Sequence, residues 1–399
     1  MARTRKSLPE QVDVAHMIST GVLASVCPRS LIDEVLADTG KASQRERLLP
    51  APAVVYYVMA LALWREAPLE EVLRVVCQGL AWLGGGKADA VRASKSAISQ
   101  ARTRLGPEVM KQLAQRVLQP VARPQAPGAW FRGLRLMAVD GSCMDVADES
   151  GNAAYFGYPA SSRGDSAFPQ ARVLCLVECG THIVTAASIA PYETSEQAMA
   201  ADLLPAKLAA DMLVMADRNF YGFKLWEQAC ASGAKLLWRV KSNLILEVEK
   251  ALPDGSYLST VYDSKDRQRK LGVKVRVIDY TLVDSATPVQ DSYRLVTNIL
   301  DAQAAPALEL AAVYHERWEI ESTFDEIKTH MRSNSTVLRS KTPELVEQEL
   351  WGLLLAHFAI RQLMAQAAWN RELDPDVLSF AHALRVVKRK MPQAAALPP

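Results

Sequence analysis

Residues 134–141, "LRLMAVDG", form a short apolar run that ends in an Asp-Gly pair. Residues 211–222, "DMLVMADRNFYG", repeat the pattern, with an apolar run that ends at Asp217. Such runs predict buried strands, each followed by a turn. An acid just past a strand often lies at the sheet edge where α/β proteins place their sites. Taken alone, however, Asp140 and Asp217 are each better explained as turn residues than as catalytic groups.

The segments around these two runs extend the α/β prediction. Residues 171–179 and 182–190 are β-like runs separated by Gly-Thr, which indicates a hairpin, and residues 235–240 predict a further strand. Helical patterns lie between the strands. Residues 241–300 differ, because turn signals alternate there with segments of period two, and they predict a β-rich insert.

The chain divides into three predicted parts. Residues 1–125 are rich in long apolar helical patterns and predict an all-helical N-terminal domain. A segment with two prolines and a glycine at 122–130 marks the boundary to an α/β domain at 130–371. Residues 372–399 are expected to be a C-terminal tail, and the final "MPQAAALPP" to be disordered.

One helix in the N-terminal part carries a polar face. Within 94–121, Lys95, Ser99 and Arg102 fall on the side opposite the apolar residues, and this face could lie on DNA. An ordinary amphipathic surface helix explains the same pattern, and this segment alone favours that interpretation.

Residues 314–328, "YHERWEIESTFDEIK", combine charged and apolar residues at helical spacing. On a helix, four of them share one stripe about 60° wide beside the apolar face: Tyr314, Arg317, Glu321 and Lys328. Glu316 and Glu319 point away from this stripe and are expected to be solvated. A routine ion pair between Arg317 and Glu321 would explain the stripe equally well.

The two Asp residues and Glu321 together suggest a metal site. Two acids on strand ends and one on a later helix can converge on two Mg²⁺ ions, which prefer oxygen ligands. Two such ions stabilise the attacking and leaving oxygens of a phosphodiester displacement. They would also explain why three crowded carboxylates are tolerated. We therefore expect two Mg²⁺ ions, with Mn²⁺ as a substitute, at Asp140, Asp217 and Glu321.

Four segments occur in a characteristic order: "AVDGSCMDVADESGNAAYFG", "MADRNFYG", "LLWRVKSN" and "YHERWEIESTFDEIK". They resemble the DDE transposases of the insertion-sequence-four family. The last one matches that family's YREK signature, Y-x2-R-x3-E-x6-K, at every spacing. The resemblance covers residues 40–370, more loosely in the helical N-terminal part, and the combination of motifs is highly specific.

The resemblance implies an α/β, RNase H-like catalytic core with Asp140 on the first strand, Asp217 on the fourth and Glu321 on a helix after the β-rich insert. It further implies a group of residues that contact DNA, most of them at phosphates: Tyr314, Arg317, Lys328, Arg239 and Arg218. In a relative of the same group a Trp on the insert holds a flipped base, and this sequence departs from it. Here the position is occupied by Tyr293, which could stack on a base or pack across the sheet.

The expected activity is that of an insertion-sequence transposase. It would cleave DNA strands at the element's inverted repeats and join them to target DNA, by cut-and-paste through a hairpin intermediate. A homodimer on double-stranded DNA is expected, with Lys95, Ser99 and Arg102 at the terminal repeats. Two alternatives remain: a catalytically inactive DNA-binding remnant, and an RNase H-like nuclease without strand transfer. A metabolic enzyme is disfavoured, because GxGxxG, P-loop and GxSxG motifs are absent from the sequence.

The composition of the 399 residues, with 49% hydrophobic and 23% charged, is typical of a soluble globular protein. The net charge of +2 neither requires nor excludes nucleic acid. The six cysteines show no zinc-binding spacing. No apolar run approaches membrane-spanning length, and the first residues lack the apolar core of a signal peptide. We therefore expect a bacterial cytoplasmic protein that associates with the nucleoid when bound to DNA.

Overall fold

The computed structural model describes most of the chain, namely residues 21–42, 48–83, 93–161, 164–283, 290–331 and 337–390. The segment expected to be disordered, 391–399, lies outside these residues. Within the described ranges, no helix combines the length and the apolar character needed to cross a membrane.

One mixed sheet organises the α/β part. Its eight longer strands are β1 (Leu134–Asp145), β2 (Gln170–Glu178), β3 (Ile183–Pro191), β4 (Met212–Ala216), β5 (Lys235–Arg239), β6 (Tyr257–Tyr262), β7 (Gly272–Val283) and β8 (Gln290–Thr297). Two-residue strands at Trp130–Phe131 and Lys250–Ala251 extend it at β1 and β6. A separate small ladder joins Ala160–Ser161 to Gly164–Asp165.

The first five strands run in the order β3-β2-β1-β4-β5. The pairs β1–β2 and β2–β3 are antiparallel, whereas β4 is parallel to both β1 and β5. This is the arrangement of an RNase H-like core. The predicted fold class is confirmed, and the β-rich insert takes the form of the antiparallel strands β6, β7 and β8, which continue the sheet from β5 through β8.

The strand β1 is apolar at successive positions, rather than alternating between apolar and polar residues, because both of its faces are covered. Leu136 and Ala138 pack into one hydrophobic cluster, whereas Met137 and Val139 pack into another. The two clusters lie on opposite faces of the sheet, since successive side chains of a strand alternate in direction. A strand covered on both faces must be apolar at every position.

Thirteen helices are seen in the described ranges. They are α1 (Val22–Val26), α2 (Arg29–Asp38), α3 (Ala51–Leu63), α4 (Leu69–Leu83), α5 (Lys95–Leu105), α6 (Pro107–Val117), α7 (Ser150–Phe156), α8 (Glu196–Leu203), α9 (Phe223–Ala231), α10 (Ala307–Tyr314), α11 (Glu319–Asp325), α12 (Pro343–Trp369) and α13 (Phe380–Lys390). Short 3-10 turns come after α8, α10 and α12, at Leu204–Ala206, His315–Trp318 and Pro375–Val377. A π turn comes after α11, at Glu326–His330.

The long helix α12 connects the two predicted domains. Its side chains are buried almost all round from Leu350 to Ala365, because α1, α3 and α6 of the N-terminal part pack on it, as does β3 of the sheet. These contacts place residues of the helical part and of the sheet in one continuous hydrophobic cluster. The N-terminal helices therefore share their core with the α/β part through α12.

The C-terminal tail predicted at 372–399 contains a packed helix in its described part. Residues Phe380–Lys390 form the helix α13, in which Phe380, Leu384 and Val387 are buried. The segment is rich in basic residues, which suggested a solvated tail, but its apolar residues recur at helical spacing, and the helix packs against α12.

Candidate active site

The first two predicted acids lie side by side at the end of parallel strands. Val139 of β1 is paired with Ala216 of β4, so that Asp140 and Asp217 follow directly from paired positions. The strand β1 does not end at Asp140, however. It continues beside β2 as far as Asp145, which excludes a turn at the Asp-Gly pair.

The third predicted acid, Glu321 on α11, is linked to Asp140 by the guanidinium of Arg317, which contacts both carboxylates. Arg317 directs Nη1 to Asp140 Oδ2 at 3.4 Å and Nη2 to Glu321 Oε1 at 3.5 Å. Its side chain is 8% exposed, whereas that of Glu321 is 46% exposed. The structure therefore gathers two of the predicted acids around one buried arginine, rather than leaving Arg317 on the surface for a phosphate.

The electrostatics at Asp140 reflect this crowding. Burial raises the pKa of Asp140 to about 6, and the carboxylates of Glu196 and Asp217 add to the increase. The backbone N–H of Gly141 and the guanidinium of Arg317 oppose it. Asp140, Asp217 and Glu321 bring three carboxyl groups to this site against the one guanidinium of Arg317, which leaves excess negative charge and an all-oxygen donor set suited to a hard cation.

Glu196 is an acid of this neighbourhood that the sequence did not reveal. It is the first residue of α8, and its Oε1 accepts a hydrogen bond from Arg172 Nη1 at 3.0 Å. A Cβ on Gly141 would lie 2.4 Å from the same oxygen, so the glycine makes room for this carboxylate. No motif pointed to Glu196, because its proximity to Asp140 depends on how α8 packs against β2 and β3.

Lys328 lies on the exposed side of a π turn that ends the signature segment. The N–H of Met331 donates to the Glu326 carbonyl at 2.9 Å, five residues back. This wider turn directs Glu326 into the protein while Lys328 stays exposed, with its Nζ donating to Ser142 Oγ on β1 at 3.1 Å. Such π turns are frequent at functional sites.

Tyr314, which was predicted to contact a DNA phosphate, is buried in this structure. It is 2% exposed, and its hydroxyl donates to the Ala216 carbonyl at 3.2 Å. That carbonyl belongs to the last residue of β4, directly before Asp217. Tyr314 therefore fixes the strand end that carries the second acid.

We expect Tyr314→Phe to lower the free energy of unfolding by about 1 kcal/mol, because the buried Ala216 carbonyl loses its side-chain donor. Chemical denaturation measures the loss. Tyr155→Phe is the matched control, since its hydroxyl donates to Glu347 at 2.9 Å on an exposed side chain, and we expect less than about 0.5 kcal/mol there. Equal losses in the two variants would contradict the role of Tyr314.

The predicted pair Arg239 and Tyr293 lies together on the insert side of the sheet. The guanidinium of Arg239 sits 3.9 Å from the Tyr293 ring centroid, and the ring of Tyr280 stacks on Tyr293 at 5.2 Å. Arg239 belongs to β5 and Tyr280 to β7, on either side of β8, so both faces of the Tyr293 ring are covered. In this arrangement Tyr293 packs across the sheet and orients Arg239 by a cation–π contact.

Among the remaining predicted DNA contacts, Arg102 was predicted to lie on an exposed helix face, and this prediction is wrong. It is 6% exposed and donates to Gln348 Oε1 at 2.8 Å and to Ser340 Oγ at 3.0 Å. The helix α5 packs against α12 on the side that carries Arg102. Arg102 is therefore buried, although helical periodicity predicted that it would be exposed. Lys95 and Ser99 are exposed as predicted, and so is Arg218, directly after Asp217.

Glu319 also departs from expectation. Its side chain is 13% exposed rather than solvated, and Oε2 accepts a hydrogen bond from the Gly180 N–H in the β2–β3 hairpin. Gly180 has φ +78°, and a Cβ there would lie 2.6 Å from the Pro127 carbonyl, so only glycine fits. Glu319 of α11 is thus held against the β2–β3 hairpin, although Glu321 and Asp325 of the same helix are exposed.

Comparisons with known proteins agree with this geometry. The family "Insertion element 4 transposase N-terminal" matches residues 17–115, and the family "Transposase DDE domain" matches residues 132–359. The chain belongs to the insertion-sequence-4 family of DDE transposases. This confirms the resemblance carried by the four motifs, and the protein is a transposase.

A curated relative fits the same family. The transposase InsG for insertion sequence element IS4, from Escherichia coli (strain K12), is 30% identical over 367 residues, covering 90% of this chain and 80% of the relative. Among solved structures, a cryo-EM structure of the piggyBac transposase synaptic complex with hairpin DNA matches 94% of this chain and 80% of its own, with 10% identity and a TM-score of 0.49.

Proposed function

We propose that this transposase cleaves DNA strands at the terminal inverted repeats of its insertion sequence and joins the freed ends to target DNA. We further propose a cut-and-paste route through a hairpin intermediate, using two Mg²⁺ ions with Mn²⁺ as a substitute. The observation that supports this most is the placement of Asp140 and Asp217 on paired strands, with Glu321 held beside them through Arg317.

The residues present fit divalent cations. DDE transposase domains use divalent metals, and Asp140, Asp217 and Glu321 would hold them here. When bound, the cations would supply Lewis-acid stabilisation of the attacking and leaving oxygens. The raised pKa of Asp140 supports this assignment, because carboxylates crowded in a partly buried site favour a bound cation.

The chain's own cations would then act on DNA phosphates. In this structure the guanidinium of Arg317 pairs with the carboxylates of Asp140 and Glu321. Once divalent cations neutralise these carboxylates, the guanidinium can donate to a DNA phosphate. Lys328 and Arg218 are exposed at the rim and would contact the backbone. Arg239, oriented by Tyr293, would contact a neighbouring phosphate, while base flipping by Tyr293 requires its ring to leave Tyr280.

We propose double-stranded DNA as the partner, at both the terminal repeats and the target site. Lys95 and Ser99 on α5 are candidates for the terminal repeats. Joining two ends in one reaction favours a homodimer on DNA, working in the bacterial cytoplasm and associated with the nucleoid while bound.

The deciding experiment incubates the purified chain with DNA that flanks its gene and carries the inverted repeats. Denaturing gels follow nicking, hairpin formation and joining, with Mg²⁺ or with a chelator. We expect nicks at the repeat ends, hairpins and joined products only with the cation. Binding without cleavage would identify an inactive DNA-binding remnant, and cleavage without joining would identify a nuclease.

We expect Lys328→Ala to weaken the hold on the cleaved DNA end. Loss of one phosphate contact should reduce the slope of log affinity against log salt concentration by about 0.9. Filter binding or fluorescence anisotropy across a salt series measures the slope. Lys111→Ala, which removes an exposed lysine of α6, is the control, and an unchanged slope in Lys328→Ala together with unchanged hairpin yield would refute the assignment.

A further inference from the structure

A second group of ionisable side chains lies behind the signature helix. His182 in the β2–β3 hairpin, Glu319 on α11 and Asp376 in the turn after α12 each offer a ligand atom, all within 4.8 Å of one another. His182 Nε2 lies 3.1 Å from Asp376 Oδ1 and 3.7 Å from Glu319 Oε2. Asp140, Asp217 and Glu321 contribute nothing to this group.

The imidazole is buried and aimed into the group. His182 is 8% exposed, and its Nε2 has no hydrogen-bond partner. On the other side of the ring, Nδ1 lies 3.5 Å from Glu326 Oε1 and 2.5 Å from Arg361 Nη2. At 2.5 Å the Arg361 N–H donates to Nδ1. Metal binding would require this N–H to turn away and Nδ1–H to donate to Glu326, which leaves the Nε2 lone pair to the ion, as in the carboxylate–histidine arrangement of metal-binding imidazoles.

The charge balance favours that arrangement. Four carboxylates lie in this region, from Glu316, Glu319, Glu326 and Asp376, and the Arg361 guanidinium pairs with that of Glu326. A protonated His182 would still leave the group negative, whereas a divalent cation offsets two charges.

We propose that His182, Glu319 and Asp376 bind one Zn²⁺-like divalent transition-metal ion, at a site separate from the catalytic carboxylates. One imidazole and two carboxylates, completed by water, suit zinc better than Mg²⁺, which rarely takes nitrogen ligands. Ligand atoms about 2.0–2.1 Å from a tetrahedral zinc ion lie about 3.3 Å apart. The observed 3.1 and 3.7 Å bracket that separation.

The position of the ion gives it a structural role in positioning the catalytic helix. Glu319 and Glu321 lie on different faces of α11, one toward this group and the other toward Asp140. The ion would tie α11 to the β2–β3 hairpin and to the segment that leads into α13. His182, Glu319 and Asp376 are therefore positioning residues, which touch no reacting atom.

The test uses the full chain with Asp140→Asn, Asp217→Asn and Glu321→Gln combined, so that the catalytic carboxylates cannot take up zinc. After dialysis against a chelator, the protein is titrated with ZnCl₂ by calorimetry. We expect one Zn²⁺ per chain and a higher melting temperature. Adding Asp376→Asn should weaken binding at least about tenfold, whereas Glu372→Gln, exposed in the same segment, should leave it unchanged.

A second measurement keeps the test independent of folding in the variant. The parent protein loaded with Co²⁺ should show visible absorption of a tetrahedral site, and Zn²⁺ should displace it. Absence of stoichiometric Zn²⁺ binding in the parent, or an equal affinity in a folded Asp376→Asn variant, would overturn the proposal. Because the catalytic acids are already replaced, either result is independent of the proposed DNA cleavage.

Discussion

Replacing Glu321 by Gln is expected to reduce strand cleavage by about 10³-fold while leaving binding to the terminal repeats within about twofold. A metal ligand at such a site contributes several kcal/mol to the transition state, and each 1.36 kcal/mol is a factor of ten. Gln keeps the shape and loses the charge. Its amide cannot compensate Arg317, whose guanidinium then keeps only its ion pair with Asp140. Cleavage is measured by single-turnover gels and binding by a mobility shift.

Asp325→Asn is the matched control for this prediction. Asp325 ends the same helix and is 56% exposed, with its carboxylate near His330 rather than near the strand ends. Its removal should alter cleavage less than about threefold, as for most surface substitutions. Normal cleavage by Glu321→Gln in Mg²⁺ would show that the third carboxylate lies elsewhere, and Glu196 would be the next candidate because it lies close to Asp140.

Replacing Glu326 by Gln should cause the largest loss of stability, about 3–5 kcal/mol, because it breaks a buried ion pair and strands its partner. Glu326 is 6% exposed. Its carboxylate accepts from Arg361 Nε at 2.8 Å and also pairs with Arg361 Nη2, while His357 Nε2 lies 2.9 Å away. In the variant Arg361 stays buried and loses the carboxylate with which its guanidinium pairs directly.

The acid dependence of this pair has a definite sign. Burial acts to raise the pKa of Glu326, but Arg361, His182 and His357 overcome it and hold the pKa well below its usual range. The pair therefore contributes fully above the unfolded-state pKa of about 4.3, and its contribution falls as pH drops toward the lower folded-state value. In acid, the wild type should lose the contribution of this pair to its free energy of unfolding, whereas Glu326→Gln has no such contribution to lose.

Urea unfolding at neutral pH, in the presence of a chelator, measures the effect without any contribution from bound metal. Asp33→Asn is the control, because its ion pair with Arg29 spans 2.8 Å between side chains that are 51% and 68% exposed. Exposed pairs of this kind are worth less than about 1 kcal/mol. Similar losses in the two variants would mean that the buried pair adds nothing beyond a surface one.

Much of the site followed from local pattern. Asp140 and Asp217 each come after apolar runs, and parallel strands bring equivalent ends together, so their proximity was predictable. The spacing of Tyr314, Arg317, Glu321 and Lys328 is set by one chain segment, and the partner motifs identified the family. The alternation of residues 241–300 likewise predicted added strands, which the sheet contains.

Periodicity failed where a helix is covered on more than one side. It assigned Arg102 to a DNA-binding face and Glu319 to solvent, and both are buried. A helical pattern records which residues are apolar, whereas a polar side chain can also be buried when another element supplies hydrogen-bond partners. For Arg102 these partners come from α12, and for Glu319 from the β2–β3 hairpin.

The sequence by itself determined the family and the core strands, and it predicted Asp140, Asp217 and Glu321 as the acids of the site, because each depends on residues close together in the chain or on motifs in a fixed order. Only the tertiary structure decided that Arg317 bridges Asp140 and Glu321, and that Glu196 approaches them. It alone also brought His182, Glu319 and Asp376 together. Apart from the Arg317–Glu321 pair, which helical spacing already suggested, these contacts join distant segments, and their distances are fixed by the packing of helices on the sheet, which no local pattern encodes.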